Sequence, residues 1–217
     1  MLVLFDVDGT LTATTSVDAE VYARVFDEVF GVALPTTDWG EYRCPTDRGI
    51  AEEAVRRLRL EPGGIPEFER RFISELGREL ERRGARPVAG AASVLDLLEA
   101  SNHAVALATG AWERSARLKL AAAGVRLGQR VLVGSDHHPC REDIIREARH
   151  RAGAARPAVY VGDAPWDARA ARALDLPFVG IDPAGTGALR AAHVRQVVPD
   201  YQDREAFIAA LHEATVP

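Results

Sequence analysis

Acidic residues near the start of this 217-residue chain stand at a spacing that suits metal-assisted chemistry. Asp6 and Asp8 are separated by one residue, directly after the apolar run Leu2–Phe5 and directly before Gly9. A short apolar run is typical of a strand buried on both faces, and glycine permits the turn that ends it. Ligands of open α/β sheets bind at the carboxyl ends of strands, so the two carboxylates are candidates for a site as well as for ordinary turn residues.

Further polar residues follow later apolar runs of the sequence, and these are Thr109, Gly110, Asp163 and Asp167. Because the carboxyl ends of parallel strands gather at one edge of a sheet, we expect all of these groups to meet. Several carboxylates at one place repel each other unless a cation binds them, and an all-oxygen ligand set suits Mg²⁺. Asp167 also falls in the first turn of a predicted helix, where the helix dipole alone favours a negative charge.

The elements that must position these residues can be predicted from hydrophobic periodicity. From residue 87 onward, predicted helices alternate with short apolar strands, which favours an α/β fold with a doubly wound, Rossmann-like parallel sheet. The predicted strands are 2–5, 104–108, 130–133, 158–161 and 177–181, and the predicted helices of this part are 91–100, 112–123, 142–152 and 166–173.

The stretch between the first two strands has a different pattern. Apolar residues at helical spacing, with glycine and proline stops, predict helices over 16–30, 47–60 and 66–83. The sequence therefore predicts an α/β core made of residues 1–13 and 86–217, interrupted by a helical domain at residues 14–85.

Composition and charge limit the classes of partner. The net charge is -5 and no block of like charges occurs, so neither nucleic acid nor an anionic membrane is expected, and small diffusible substrates are favoured. Cys44 and Cys140 lie far apart without a CxxC neighbour, which favours a reducing compartment and no disulfide. We find no apolar stretch long enough to span a bilayer and no cleavable leader before the first strand, so a cytoplasmic location is expected.

The motifs DVDGT at residues 6–10, Thr109-Gly110 after an apolar strand and GDAPWD at residues 162–167 resemble three signatures of the haloacid dehalogenase-like hydrolase superfamily, mainly its phosphatases. The resemblance spans the chain, because a helical insert straight after the first strand resembles the first type of cap in this superfamily. One signature departs from the pattern: the superfamily usually has a lysine before the last motif, and this chain has Arg141 there.

The resemblance implies a phosphatase mechanism in two halves. Asp6 would attack the phosphorus of a phosphate ester and form an aspartyl-phosphate, and Asp8 would protonate the leaving oxygen and later activate water. Thr109 and the backbone N–H of Gly110 would hydrogen-bond the phosphoryl oxygens.

The resemblance also implies a magnesium site. Asp6, the backbone carbonyl of Asp8 and Asp163 would hold Mg²⁺, and Asp167 would position the waters of the metal. The cation that bridges nucleophile and phosphoryl group would be Arg141. The chain's lysine, Lys119, falls inside a predicted helix, where we expect a solvated charge.

Two other functions stay open beside a phosphatase: a sugar-phosphate mutase and a non-catalytic phosphate-binding protein. Two further activities of the superfamily do not fit the residues. Dehalogenases of the superfamily do not have the acid/base residue that stands here as Asp8, and the related phosphonate hydrolases need a lysine in the cap, which residues 14–85 do not contain. A sugar-phosphate mutase would keep the same four aspartates. A non-catalytic phosphate-binding protein is the alternative from another class, although the large insert and Asp8 argue against it.

The sequence does not name the substrate beyond a small soluble phosphomonoester. The segment between the first two helices of the insert is where this type of cap often contacts substrate, and its candidates are Arg43, Thr46, Asp47 and Arg48. Arg43 or Arg48 could bind a carboxylate or a second phosphate, or could be solvated surface residues. Phosphoglycolate phosphatase is the nearest named activity.

Overall fold

The computed structural model describes residues 1–153 and 155–217, and its centre is a parallel sheet. The strands are β1 (Leu2–Phe5), β2 (Ala104–Ala108), β3 (Val131–Val133), β4 (Ala158–Gly162), β5 (Phe178–Ile181) and β6 (Val197–Val198). Their order across the sheet is β3-β2-β1-β4-β5-β6, with every neighbouring pair parallel. The predicted doubly wound α/β fold is confirmed.

Helices cover both faces of this sheet. The helices on its two faces are α4 (Ala91–Ala100), α5 (Glu113–Ala122), α6 (Arg141–Arg151), α7 (Pro165–Ala173), α8 (Ala188–Ala191) and α9 (Arg204–Glu213). The helices α1 (Thr15–Phe30), α2 (Asp47–Leu58) and α3 (Ile65–Arg83) pack on one another instead. The predicted elements lie at their observed places with ends shifted by one or two residues. The short β6 and α8 and the terminal α9 were not predicted.

The first strand lies in the middle of the sheet and is buried on both faces. Val3 and Phe5 pack into one hydrophobic cluster, and Leu2 and Leu4 into the other. Because side chains alternate along a strand, an uninterrupted apolar run is what two covered faces require. The residue after β1, Asp6, therefore emerges at the centre of the sheet edge.

The helices α1–α3, which we call the helical insert (residues 14–85), have a hydrophobic cluster of their own. Its centre is aromatic: the ring of Tyr22 lies 4.8 Å from that of Phe68 and 5.3 Å from that of Phe72. Trp112, at the start of α5, enters this cluster from the sheet side and is fully buried. Burying large aromatic side chains of this kind is worth about 2 kcal/mol each, so the contact is a substantial link between insert and sheet.

A disulfide also joins the insert to the rest of the chain, because Cys44 and Cys140 are bonded with their Cα atoms 4.9 Å apart. The expectation that these two cysteines form no disulfide was wrong. Their separation of 96 residues gave no sign of the contact. The fold creates it by placing the segment before α2 against the loop that leads into α6.

Within residues 1–153 and 155–217, none of the helices combines the length and the apolar character that crossing a bilayer requires.

Candidate active site

Of the four carboxylates predicted to meet at the sheet edge, three lie together. One oxygen each of Asp6, Asp163 and Asp167 lies within 4.8 Å of the others. Asp6 follows β1, Asp163 follows the neighbouring β4, and Asp167 lies in the first turn of α7. The parallel pairing of β1 with β4, in which Phe5 lies opposite Val161, is what brings them together.

Arg141 lies in the middle of these carboxylates. Its Nη1 is 2.9 Å from Asp6 Oδ1 and 2.9 Å from Asp167 Oδ1, and it also donates to the hydroxyl of Tyr160 at 3.1 Å. The side chain is 7% exposed, although it belongs to the first residue of α6. Arg141 is therefore not a surface charge at a helix start, and it reaches the group predicted to be the nucleophile.

Two glycines permit this close packing. A Cβ on Gly110 would lie 2.6 Å from Arg141 Nη2, so a side chain there would displace the guanidinium. A Cβ on Gly9 would lie 2.0 Å from Asp163 Oδ2, and the backbone of Gly9 has a φ of 75°, which disfavours other residues. Steric crowding within the site thus explains why both motifs have glycine at these positions.

Burial makes the negative charge at this edge costly. It raises the pKa of Asp6 from 3.8 to about 7, although Arg141 acts in the opposite direction. Burial, together with the charges of Asp167 and Asp6, also raises the pKa of Asp163 well above its ordinary value. One guanidinium does not compensate the charge of three carboxylates, two of them buried.

A divalent cation fits this arrangement. Carboxylate oxygens are the ligands that Mg²⁺ prefers, and three of them lie close enough to face one ion. Asp167 is the most firmly held of the three, because its Oδ1 accepts from Tyr160 at 3.0 Å and its Oδ2 from the N–H of Ala164 at 3.1 Å. Asp6 and Asp163 are therefore better placed for direct coordination than Asp167.

Asp8 is held at both carboxylate oxygens. Thr14 Oγ1 donates to its Oδ1 at 2.6 Å, and Lys119 Nζ donates to its Oδ2 at 2.7 Å. The side chain stays 21% exposed, on the wall of a cavity.

The expectation that Lys119 is a solvated charge was wrong. The residue is fully buried and forms ion pairs with Asp8 and Asp18. Burial alone would lower the pKa of Lys119, but attraction to Asp18, Asp8 and Asp47 raises it above its ordinary value. Its place on α5 explains the result, since it shares the buried face of that helix with Ala116 and Leu120.

A cavity of about 70 Å³ lies between the sheet edge and the helical insert. Thr109 and Gly110 line it, so the structure brings them to the same place as the acidic residues. The sheet side supplies Asp6, Asp8, Thr109, Gly110, Ala111, Arg141, Asp163 and Trp166, and residues 14–85 supply Thr15, Asp18, Tyr22, Trp39, Pro45, Thr46, Asp47 and Ile50.

The predicted specificity residues divide into two groups. Thr46 and Asp47 line the cavity, whereas Arg43 and Arg48 do not. Arg43 is exposed, and Arg48 donates from Nε to Glu52 at 2.7 Å and from Nη1 to the carbonyl of Asp136 at 2.5 Å. In this arrangement neither arginine faces the cavity, so a role as ligand for an anionic substrate group stays a prediction without support from these contacts.

Sequence reasoning missed several residues of the cavity. Asp18 and Tyr22 are four apart in α1, a spacing that places both on one helix face, so their common face could have been found. Trp39 and Trp166 gave no pattern, because each lies in or beside a loop and approaches the cavity only through tertiary contacts. Tyr160 does not line the cavity and fits the apolar pattern of β4, so only the structure reveals that its hydroxyl joins Arg141 to Asp167.

Comparison with known families agrees with this geometry. The model of the haloacid dehalogenase-like hydrolases matches residues 3–172. The chain belongs to this family, and the prediction of an enzyme of this family is confirmed. No curated protein matches the sequence.

Solved structures share the fold over almost the whole chain. A hydrolase from Pseudomonas syringae has a TM-score of 0.74 and 20% identity, covering 96% of this chain and 98% of its own. A predicted phosphoglycolate phosphatase from Haemophilus somnus has a TM-score of 0.69 and 18% identity, covering 95% and 97%. A proposed β-phosphoglucomutase from Bacteroides vulgatus has a TM-score of 0.71 and 19% identity, covering 98% and 90%. At such identities the likeness concerns the fold alone.

The carboxylate cluster predicts a stabilising effect of Mg²⁺ that can be measured without any substrate. A metal concentration about a hundredfold above the dissociation constant adds roughly 2.7 kcal/mol to the free energy of unfolding, or about 5–10 °C in Tm for a chain of this size. We expect Asp163→Asn to lose this shift in thermal unfolding. Asp27→Asn, at an exposed position of α1, should keep it; an equal shift in both variants would contradict the metal site.

Proposed function

We propose that the protein is a Mg²⁺-dependent phosphatase that hydrolyses a small soluble phosphomonoester through an aspartyl-phosphate on Asp6. The observation that carries this proposal is the placement of Arg141. Its Nη1 binds Asp6, while its Nη2 faces Gly110 and has a single long contact, 3.5 Å, to the carbonyl of Pro45. The guanidinium can therefore hold the nucleophile and still donate to a phosphoryl oxygen.

In the first half of the reaction, a carboxylate oxygen of Asp6 attacks phosphorus while the bond from phosphorus to the leaving oxygen breaks. Asp8 gives its proton to that oxygen. Thr109 and the N–H of Gly110 donate to the phosphoryl oxygens, and Arg141 reduces the repulsion between the phosphate and the carboxylate.

In the second half, water attacks the phosphorus of the aspartyl-phosphate, and the bond to Asp6 breaks. Asp8, now a carboxylate, takes the proton of this water. Phosphate leaves, and both aspartates return to their starting protonation states.

Mg²⁺ would be held by Asp6, the backbone carbonyl of Asp8 and Asp163, with Asp167 orienting its waters, and it would supply charge neutralisation for the phosphoryl group. We also propose that residues 14–85 act as a cap. Their side chains form one wall of the cavity, so a seated insert excludes bulk water during the reaction.

The charges of the cavity favour a substrate whose leaving group carries no negative charge. Among the lining residues that the structure describes, Arg141 is the one cation, and it already pairs with Asp6 and Asp167. The insert contributes Asp18 and Asp47 instead. A carboxylate or a second phosphate at this wall would lack a cationic partner among these residues.

This argument favours a phosphatase over a mutase, because a sugar-phosphate mutase must hold a second phosphate. It also weakens the expectation of phosphoglycolate as the substrate. The cytoplasmic location and the small phosphorylated metabolite as partner stay predictions from the sequence.

The role of Asp6 predicts that Asp6→Asn abolishes Mg²⁺-dependent release of p-nitrophenol from p-nitrophenyl phosphate. The amide keeps the shape of the side chain but cannot attack phosphorus, so circular dichroism should be unchanged. Asp8→Asn should slow steady-state turnover by roughly a hundred- to ten-thousandfold. Turnover by Asp6→Asn comparable to that of the wild type would remove Asp6 from the role of nucleophile.

The charge of the cavity predicts an order among substrates with two-carbon leaving groups. We expect kcat/KM to be lowest for phosphoglycolate and higher for 2-hydroxyethyl phosphate and phosphoethanolamine, which match it in size but carry a neutral or a cationic group. A preference of the wild type for phosphoglycolate would contradict this interpretation of the cavity.

A further inference from the structure

Lys119 is a buried cation that the mechanism above does not use. It projects from α5, on the sheet side of the cavity, and is fully buried. Its Nζ is 2.7 Å from Asp8 Oδ2 and also contacts Asp18 Oδ1. Asp18 belongs to α1 of the helical insert. One ammonium group thus joins the proposed acid/base residue to the proposed cap.

The contacts of Asp8 leave its carboxylate a single orientation. Thr14 Oγ1 donates to Oδ1 at 2.6 Å, and Thr14 is itself 2.7 Å from the hydroxyl of Thr12. Lys119 holds the other oxygen. Thr14 is the residue directly before α1, where the chain passes from the sheet to the insert. Both partners of Asp8 therefore depend on how the insert sits.

We propose that Lys119 is a positioning residue: it fixes the carboxylate of Asp8 toward the leaving group and does so fully when the insert presents Asp18. The inference rests on the proposed phosphatase function and deepens it. It makes proton transfer to the leaving group depend on a seated cap, because withdrawal of Asp18 leaves the ammonium group with a weaker hold on its position. A displacement of about 1 Å at a reacting group is enough to cost roughly a hundredfold in rate.

Leaving groups of different acidity separate this role from a structural one. p-Nitrophenol departs without much help from an acid, whereas phenol needs the proton of Asp8. With enzyme in excess over substrate, release of the phenol reports the first half of the reaction alone. We expect Lys119→Met to slow phenyl phosphate by roughly a hundredfold and p-nitrophenyl phosphate much less. Asp18→Asn should also slow phenyl phosphate more than p-nitrophenyl phosphate, but by a smaller factor than Lys119→Met does.

The controls make the outcome decisive. Arg117→Met removes a cation from the exposed face of the same helix and should leave both rates unchanged. Asp18→Asn is nearly isosteric, so it tests the proposal even if Lys119→Met, which strands buried carboxylates, does not fold. Equal slowing of both substrates in Asp18→Asn, or no slowing of either, would overturn the proposal. A wild type that releases neither phenol would instead refute the proposed function.

The disulfide between Cys44 and Cys140 carries a second inference independently of Lys119. Cys44 lies in the insert and Cys140 directly before Arg141, and both are half-buried, within reach of a small dithiol. Other contacts seat the same segment: Thr46 Oγ1 donates to the carbonyl of Pro139 at 2.6 Å, and the N–H of Asp47 to that of Gly110 at 2.8 Å. The bond therefore lies directly behind cavity-lining residues, since Pro45 follows Cys44 and Arg141 follows Cys140.

We infer that this disulfide is a redox latch on the cap. In the oxidised form it holds the segment 44–47 against the phosphate site, and substrate entry and product release through this wall are slowed. A dithiol reductant opens the latch: one of its thiolates attacks a sulfur of the disulfide, its second thiol completes the exchange, and two cysteine thiols and an oxidised dithiol result. This inference also rests on the proposed function and concerns its regulation.

The test compares oxidised with dithiothreitol-reduced wild type in turnover of p-nitrophenyl phosphate, with thiol titration to confirm each state. We expect the oxidised protein to turn over several-fold more slowly. Cys44→Ser and Cys140→Ser should turn over p-nitrophenyl phosphate at the rate of reduced wild type, and dithiothreitol should not change their rates. Equal rates for the two wild-type forms, a reductant effect that persists in Cys44→Ser, or failure of the two thiols to pair under oxidation would each overturn the latch. Absence of turnover in every form would count against the proposed function instead.

Discussion

The contact on which the rest of the site depends is the ion pair of Arg141 with Asp6 and Asp167. These three side chains come from the start of α6, the end of β1 and the first turn of α7, and all are buried. The sheet must place β1 beside β4 to bring the carboxylates together, and Gly110 must lack a side chain for the guanidinium to reach them. Removing one partner of such a buried group leaves an uncompensated charge, which costs about 3–5 kcal/mol.

A second charged group, Lys119 with Asp8 and Asp18, crosses from the sheet to the insert. The two charged groups have different roles in the proposed mechanism. Arg141 and its partners would hold the nucleophile Asp6 and the phosphoryl group, whereas Lys119 and its partners would hold the proton donor Asp8. The insert is joined to this arrangement by the packing of Trp112, by Asp18 and by the disulfide at Cys44.

Much of the fold could be predicted from the sequence, because periodicity reports burial directly. The apolar run Leu2–Phe5 predicted a central strand, and the spacing of Asp6, Asp163 and Asp167 after apolar runs predicted a common edge, where the structure places them. Contacts between distant segments could not be predicted in this way. The pairing of Cys44 with Cys140, the burial of Lys119 and the turning of Arg48 toward Asp136 depend on how the insert sits on the sheet, and no local pattern encodes that.

The proposed mechanism requires that Asp6 becomes covalently phosphorylated, and detecting the phosphoryl group on Asp6 tests this requirement directly. Asp8→Asn can still release p-nitrophenol, which needs little help from an acid, but its second half lacks the base that activates water. Mixing this variant with p-nitrophenyl phosphate and Mg²⁺, quenching in acid and analysing peptides by mass spectrometry should therefore show a phosphoryl group on the peptide that contains Asp6. Release of p-nitrophenol without any phosphoryl group on that peptide would contradict the role of Asp6 as the nucleophile.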